Sequence, residues 1–503
     1  MARFGANAFT FGTQQFGSGT DRDLTWALEI DWDGDGSFDG QNDAAHLFSV
    51  EVERGRQFFL ANQGGGFEPV AAGRMTARIV DQERKYDPYN SASPLNGLVI
   101  PGRAFRLRVK RESDGVVLDV IAGEIDDIKP DYGASVRTVT ISGIDSLRRL
   151  QNIRISSAVQ VTIQYDSAIA QCLAAAGFSS YSVDTTVSDS MPYWWTSGRS
   201  ANAEINSLVD AVLGYFFIAA DGTPTYISRI PGDASVITLT DSLIQRGIVV
   251  LNPWDVVRNI VRVYARARRK QSGVEMWRIS DVPQIPAGES RTIWAKYSYN
   301  NDDTVAATAI TSPVSSTDYT ANSAADGSGT DLTADISIAL TAFASTAKLV
   351  VTNGGASAAY ITLLKLRGDV IAADAYTYAE SQSAASIAQY RERELVIEND
   401  WLQDLNTAIS QADALLDRLE IARRFPRVWI KALPTAQFLE LFALVTAAFA
   451  SDGISGDMRV GYIKHTSVDR RCQIISTELH LEPNLAEVPS GKWVFPATFP
   501  MTF

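Results

Sequence analysis

Between Leu24 and Leu150 apolar and polar residues alternate in short runs: Leu24–Ile30, Leu47–Glu53, Arg74–Val80, Phe105–Lys110, Val116–Ala122 and Val136–Ser142. Gly, Pro, Asp or Asn bounds each run. A period of two sends one strand face to a core and the other to water, so these read as half-buried strands. Five or six of them at short spacing predict a β-barrel or sandwich. Asp145–Leu150 then starts a short helix and marks a boundary.

The pattern changes along residues 151–250. Asp166–Ala176 and Ala201–Leu213 show helical spacing, each closed by a glycine, Gly177 and Gly214. Tyr215–Ile227 reads as a hairpin about Asp221-Gly222, so this unit is α+β. Val256–Ala265 predicts one long strand, followed by the basic run Arg266, Arg268, Arg269 and Lys270, read as an edge-strand terminus and not a nucleic-acid contact. From Asp303 to Leu364 the chain turns rich in Ala, Ser and Thr, with strand-like runs at Lys348–Thr352 and Ala359–Leu364; this predicts a small inserted β-sandwich. Ser383–Ala422 has a helical pattern, and Leu402, Leu405, Ile409, Ala412, Leu416 and Leu419 make one apolar stripe expected to pack on the protein's own sheet. Arg427–Ala432, Gly461–His465 and Arg471–Leu481 are further strands. The glycine-rich first 26 residues, with Phe4, Phe11 and Phe16, and the proline-broken end with Trp493, Phe495, Phe499 and Phe503 read as arms that dock elsewhere.

The resulting expectation is a mainly β protein with α+β parts. Its divisions are 1–26 as an arm, 27–150 as a first tube-like β-barrel domain, and 151–250 as an α+β domain. A second tube-like domain takes 251–295 and 365–485 with a helix at 401–421; 296–364 is the insert and 486–503 an extended tail.

Composition narrows the function. With 503 residues, 46% apolar and 20% charged, the chain is an ordinary folded protein large enough for several cores. A net charge of −13 argues against a grip on phosphate. No apolar run is long enough to span a membrane, and no signal peptide is expected. Two cysteines, Cys172 and Cys472, exclude a disulfide framework and read as small buried hydrophobes. Three histidines, His46, His465 and His480, leave little for zinc sites or Ser/His chemistry. Walker loops and nucleophile elbows are absent from the sequence, so no enzyme is expected.

One stretch carries candidate chemistry. Asp31-Trp32-Asp33-Gly34-Asp35-Gly36-Ser37-Phe38-Asp39 sets acids at loop positions 1, 3, 5 and 9, glycine at 6, and at 7 a serine whose main-chain carbonyl would ligate. Hard cations such as Ca²⁺ take six to eight oxygens, which alternating acids can supply. Asp31, Asp33, Asp35, Ser37 and Asp39 are therefore the candidate metal ligands. Asn42 at position 12 in place of a bidentate Glu predicts a weak site. The alternative is an Asp/Gly turn with no ion. Flanking strands instead of helices make any ion structural and not a sensor.

The order of motifs in the first module has a resemblance. Val50-Glu51-Val52-Glu53-Arg54-Gly55-Arg56, Ala72-Gly73-Arg74 through Asp81, Tyr86-Asp87-Pro88-Tyr89-Asn90, Ser93-Pro94-Leu95, Pro101-Gly102-Arg103, Gly123-Glu124-Ile125-Asp126-Asp127 and Ser142-Gly143-Ile144-Asp145 follow one another. Together they resemble the N-terminal part of minor tail proteins of long-tailed bacteriophages, the tail-tip (baseplate) hub proteins. Gly214-Tyr215-Phe216 and Trp254–Val263 extend the likeness more weakly, to about 27–295 and 365–485. The resemblance implies a homotrimer whose two tube-like domains per chain form a pseudo-sixfold ring at the virion's tail tip. It implies contact with the distal tail protein, the tape measure protein and tail fibre or tip proteins, with DNA passing the lumen; the acidic charge of the chain separately suggests a lumen wall that DNA slides past without specific binding. Two other functions compete: a calcium-dependent carbohydrate adhesin using the insert, and a glycan hydrolase using a carboxylate pair such as Asp126 and Asp127.

Overall fold

The structure is a computed structural model that describes residues 24–484 except 39–42, 58–59, 61–67, 112–114, 134–135, 187–188, 229–233, 252–253, 301–304, 431–437 and 468–474. Most of the N-terminal arm, the C-terminal tail, Asp39, Asn42 and Cys472 lie outside the described residues. Cys172 is buried, as expected of a small hydrophobe.

The chain is mainly β. Twelve strands build one curled sheet. In chain order they are β1 Leu24–Ile30, β2 Leu47–Gly55, β3 Ala71–Val80, β4 Ala104–Arg111, β5 Val117–Asp131, β6 Thr138–Ile144, β7 Ile237–Thr240, β8 Ile244–Leu251, β9 Phe425–Ile430, β10 Leu444–Phe449, β11 Ile454–Ser467 and β12 Ile475–Pro483. Across the sheet they run β1-β4-β5-β6-β3-β2-β11-β12-β9-β8, with β10 on β11 and β7 parallel to β10.

The alternation seen in the sequence does what a period of two requires. In β3, Met75, Ala77 and Ile79 are buried while Arg74 and Thr76 face out. With Trp26, Leu28, Val52, Phe105, Leu107 and Ile141 they fill the core of the first half. Trp26, placed by sequence in the arm, already belongs to that core. A second core holds Leu239, Val428, Val445, Phe449, Ile463 and Leu479, and it takes in Tyr215 and Phe217 from the hairpin Tyr215–Ile218/Pro224–Ile227.

The two halves join where β2 lies antiparallel to β11, Glu51 opposite Thr466 through Gly55 opposite Tyr462. β11 pairs over Ile454–Arg459 with β10 and over Tyr462–Thr466 with β2, so it changes partner near Gly461. The crossing is tight. Gly55 has φ +105°, and a Cβ there would stand 2.2 Å from the Gly461 carbonyl oxygen and 2.8 Å from the Tyr462 Cα.

Three smaller units flank the sheet. Helices Leu147–Asn152, Tyr165–Ala175 and Ala201–Asp210 pack with short strands around Trp194, Ile205 and Leu208. Strands Ile260–Ala265, Thr377–Gln382 and Glu394–Glu398 form a three-stranded sheet under helix Leu405–Leu419. The third unit sets a five-stranded and a three-stranded sheet around one core, with Ala359–Ala373 as the long strand on which the other four of the five-stranded sheet pair.

Several expectations need correcting. The helical pattern from Ser383 to Ala422 is broken: helix Ala384–Tyr390, strand Glu394–Glu398, then helix Leu405–Leu419. On that last helix the buried stripe is Ala408, Gln411, Ala412, Leu415 and Leu419, while Leu405 and Ile409 are exposed. Close approach to the sheet favours small residues, which a search for large aliphatics overlooks. The strand expected at Val256–Ala265 starts only at Ile260. Before it, the buried Asn259 donates to the Arg391 carbonyl (2.7 Å) and accepts from the Arg393 amide (2.8 Å). The inserted module also reaches beyond its compositional signature. Arg268–Arg278 and Ser290–Lys296 pair inside it, against Lys365–Ala373 and Thr346–Thr352. Ion pairs such as Lys270–Asp369 sit on these outer strands, so a shift toward uncharged residues does not mark them.

Gly55→Ala is expected to cost about 3 kcal/mol or more, combining a disfavoured φ with a backbone clash. Gly97→Ala, at φ +79° in open space, should cost only about 1–2 kcal/mol. Urea unfolding of both variants checks this, and equal costs would remove the argument for a tight crossing.

Candidate functional site

Two places gather charged side chains: the acidic loop after β1 and the junction of the two sheet halves.

The acidic loop is anchored at its start. The Asp31 amide donates to the Ala104 carbonyl (3.0 Å), continuing the β1–β4 ladder. The Asp31 side chain is buried, and its two oxygens accept from the amides of Gly34 (2.8 Å) and Gly36 (3.0 Å). Burial pushes its pKa up, but the Gly36 and Gly34 amides, together with hydrogen bonds involving Asp33 and the Asp35 amide, hold it below the usual carboxylate range. Asp33 accepts from the Asp35 amide (3.3 Å), and Asp35 accepts both the amide (2.8 Å) and the hydroxyl (2.7 Å) of Ser37. Carboxylate oxygens of Asp31, Asp33 and Asp35 lie within 4.8 Å of one another. Of the five sequence-derived ligands, three thus converge, Ser37 bonds to one of them, and Asp39 falls outside the described residues. Such spacing suits a hard cation. Gly34 is favoured here by its φ of +78°, a conformation side chains rarely adopt; a Cβ would also have to displace the end of the Arg103 side chain.

Beneath the loop lies a residue the sequence did not single out. Asp43 is fully buried and accepts from Trp32 Nε1 (3.0 Å), Tyr86 Oη (2.6 Å) and Lys85 Nζ (3.1 Å). Burial, with the Asp43 carboxylate beside it, pushes the Tyr86 phenol far up, so it stays a donor. The Tyr86-Asp87 motif and Trp32 therefore meet on one carboxylate.

At the junction, Arg54 and Arg56 leave the end of β2 on either side of Gly55. Arg54 donates to the Ile218 carbonyl (2.8 Å) and pairs with Glu440, whose second oxygen takes the Ala220 amide (2.8 Å). Arg56 makes a buried forked pair with Glu482 at the end of β12, at 2.8 and 2.9 Å. Its guanidinium lies 5.3 Å from the Phe442 ring, which stacks on Tyr215 at 4.5 Å. Arg459, wholly buried, donates to the Phe442 carbonyl (2.6 Å). Phe442 itself has φ +57°, an unusual conformation for an aromatic residue, held by its amide bond to the Val460 carbonyl (2.8 Å). Burial raises the Glu482 carboxyl above its ordinary range despite Arg56 and Arg459, and raises Tyr215 to about 12. Asp145, pushed up by burial to about 6, accepts from the Gly73 (2.7 Å) and Leu147 (3.0 Å) amides. On the outer face, Lys464 bridges Glu51 and Glu53. Glu53, Arg54 and Arg56 border an open charged groove of about 750 Å³ that also includes Arg74, Arg148 and Asp126. Asp126 and Asp127 are not a facing pair: they bind Arg148 and Lys129 respectively.

Arg54-Gly55-Arg56 stood out in the sequence, but Glu440, Glu482 and Arg459 did not. The arginine partners of Glu440 and Glu482 lie hundreds of residues away, Arg459 bonds a main-chain carbonyl 17 residues back, and no local spacing marks any of them.

No protein-family model matches the chain, and no curated protein matches it. Among solved structures it is similar to the 43 kDa tail protein of prophage MuSo2 from Shewanella oneidensis, at 12% identity and TM-score 0.51, over 92% of this chain and 99% of that one. A tail protein from Neisseria meningitidis MC58 is similar at 11% identity and TM-score 0.48, over 91% and 96%. Prophage tail protein gp18 from Listeria monocytogenes EGD-e follows at 9% and 0.43, over 91% and 93%. This chain shares its fold with the MuSo2 tail protein along nearly the full length of both.

Arg56→Met should cost about 3–5 kcal/mol at pH 8, because it strands a buried carboxylate. A carboxyl whose folded pKa is raised contributes stability below its unfolded pKa and loses it as pH rises through the folded value. Removing the guanidinium raises Glu482 further, so the deficit should shrink as pH falls toward the ordinary glutamate range. Denaturant titrations across pH check this; a pH-independent deficit would refute the pairing.

Proposed function

We propose that this chain is a structural component of a tailed phage virion and forms the hub at the tail tip. The observation that carries this reading is the single twelve-stranded sheet made of two halves, a fold shared end to end with a prophage tail protein. In this reading each chain supplies two curved β walls and three chains close a ring of six. The distal tail protein and the tape measure protein sit above, and fibre or tip proteins below. DNA passes through the lumen, and the net charge of −13 favours sliding over binding.

The role needs no catalysis. The buried carboxylates serve as braces: Glu482 with Arg56, Glu204 with Trp194 and Arg199, Asp145 with two backbone amides. In the same reading Asp31, Asp33 and Asp35, with Ser37 and Asp39, hold a structural Ca²⁺ that stiffens the β1–β2 connection. The three converging carboxylates support this.

Light scattering on the purified chain should give three times its 54.7 kDa mass, and gold-labelled antibody should mark the tail tip in electron micrographs. A chain that stays monomeric at every concentration, or labelling elsewhere on the virion, would overturn the hub. Calorimetry should show Ca²⁺ binding that Asp33→Ala and Asp35→Ala remove. Calcium at 100 times its Kd should stabilise the wild type by about 2.7 kcal/mol; identical titrations of wild type and variants would leave only a turn.

A further inference from the structure

The inserted module carries an aromatic platform that none of the above uses. Trp294, on strand Ser290–Lys296, is 60% exposed, and Phe343, in the turn after strand Ile336–Ala342, is 45% exposed. Their rings stack at 5.9 Å and 24°. Large aromatics held in the open usually wait for a partner.

This pair is also rigid. The fully buried Tyr297 donates its hydroxyl to the Thr346 carbonyl (2.6 Å) beneath the turn. The Phe343 amide bonds to the Thr346 carbonyl (2.8 Å), and the Ala344 and Ser345 carbonyls accept from Ala307 (2.9 Å) and Tyr297 (3.0 Å). Ser345 then reaches the α+β unit through the Ser197 hydroxyl (2.7 Å).

The platform borders a groove of about 530 Å³ between the insert and the α+β unit, within the size range of small-molecule sites. The far wall is a row of hydroxyls: Ser156, Ser157, Thr196 and Ser197. Ser157 accepts from the Thr196 amide (3.0 Å) and Ser156 from the Gly198 amide (3.0 Å), which leaves each hydroxyl its own proton to donate. Thr196 is 3% exposed, and its hydroxyl has no hydrogen-bond partner among the described residues. A buried hydroxyl left unpaired is costly. None of the groove's lining residues is charged.

We propose that this groove binds a neutral carbohydrate. The apolar C–H face of a sugar ring packs on aromatic faces, and its hydroxyls exchange hydrogen bonds with serine and threonine. The uncharged lining disfavours phosphates, nucleic acid and acidic sugars, which need cationic partners. This site is independent of the hub reading: a ring-forming chain could lack it, and a monomeric one could keep it.

The test uses the full chain on an array of neutral oligosaccharides and bacterial surface polysaccharides, followed by calorimetry on the sugars that bind. Trp294→Ala and Phe343→Ala should each weaken binding at least tenfold, with unfolding transitions unchanged because both rings are exposed. Trp254→Ala, which removes a half-exposed tryptophan elsewhere, should leave binding intact. If Trp294→Ala disturbs the fold, Phe343→Ala carries the comparison. Binding to no neutral glycan, undiminished binding by both variants, or self-association that Trp294→Ala abolishes would each overturn the proposal.

Discussion

Everything in this fold depends on β2 pairing with β11. Five residue pairs, from Glu51–Thr466 to Gly55–Tyr462, turn two separate cores into one sheet. Closing a loop of this length costs on the order of 5 kcal/mol in chain entropy before any contact repays it. The junction therefore needs more than ladder hydrogen bonds. It has the Arg56–Glu482 fork, Arg54 on Glu440, and Arg459 beneath Phe442, with Arg56 and Arg459 lying against the Tyr215–Phe442 stack. Buried ion pairs of this kind add little net stability but strongly penalise misalignment. A slip of one residue would strand both arginines, so the cluster fixes register.

The same logic explains which parts of the fold were legible in the sequence. The six strands of the first half were readable because one face is wet and the other dry, and that writes a period of two into the residues. Helix Leu405–Leu419 was readable as a helix but not in its orientation, since Ala408, Gln411 and Ala412 face the sheet in place of the larger Leu405 and Ile409. Strand Glu394–Glu398 was lost because it lies between two helices and follows a helical pattern. The acidic loop announced itself through local spacing, whereas Asp43 did not. Its role comes from Trp32, Lys85 and Tyr86 arriving from other segments. Glu482 is the extreme case: one acid at a strand end, meaningful only beside an arginine 426 positions away.

Loop and junction thus use charge in opposite ways. In the loop, carboxylates crowd together and are satisfied by backbone amides, which leaves negative potential at the surface. At the junction, Glu440 and Glu482 are matched to the guanidinium groups of Arg54 and Arg56. The first arrangement invites a mobile cation; the second excludes one.

The way the inserted module is attached has a consequence for how such chains diversify. The chain leaves the three-stranded sheet at Ala265 and returns at Thr377, and these two residues are paired neighbours. The ladder resumes at Arg268 opposite Ala373, so the module hangs from a two-stranded stem. Beyond this stem the module touches its host through Ala306, Ala344 and Ile371, which join the core of the α+β unit, and through Ser345 on Ser197. Modules of any size, or a simple hairpin turn, could be exchanged at this point without disturbing the twelve-stranded sheet. The scaffold can then stay constant while the appended surface evolves with whatever it must recognise.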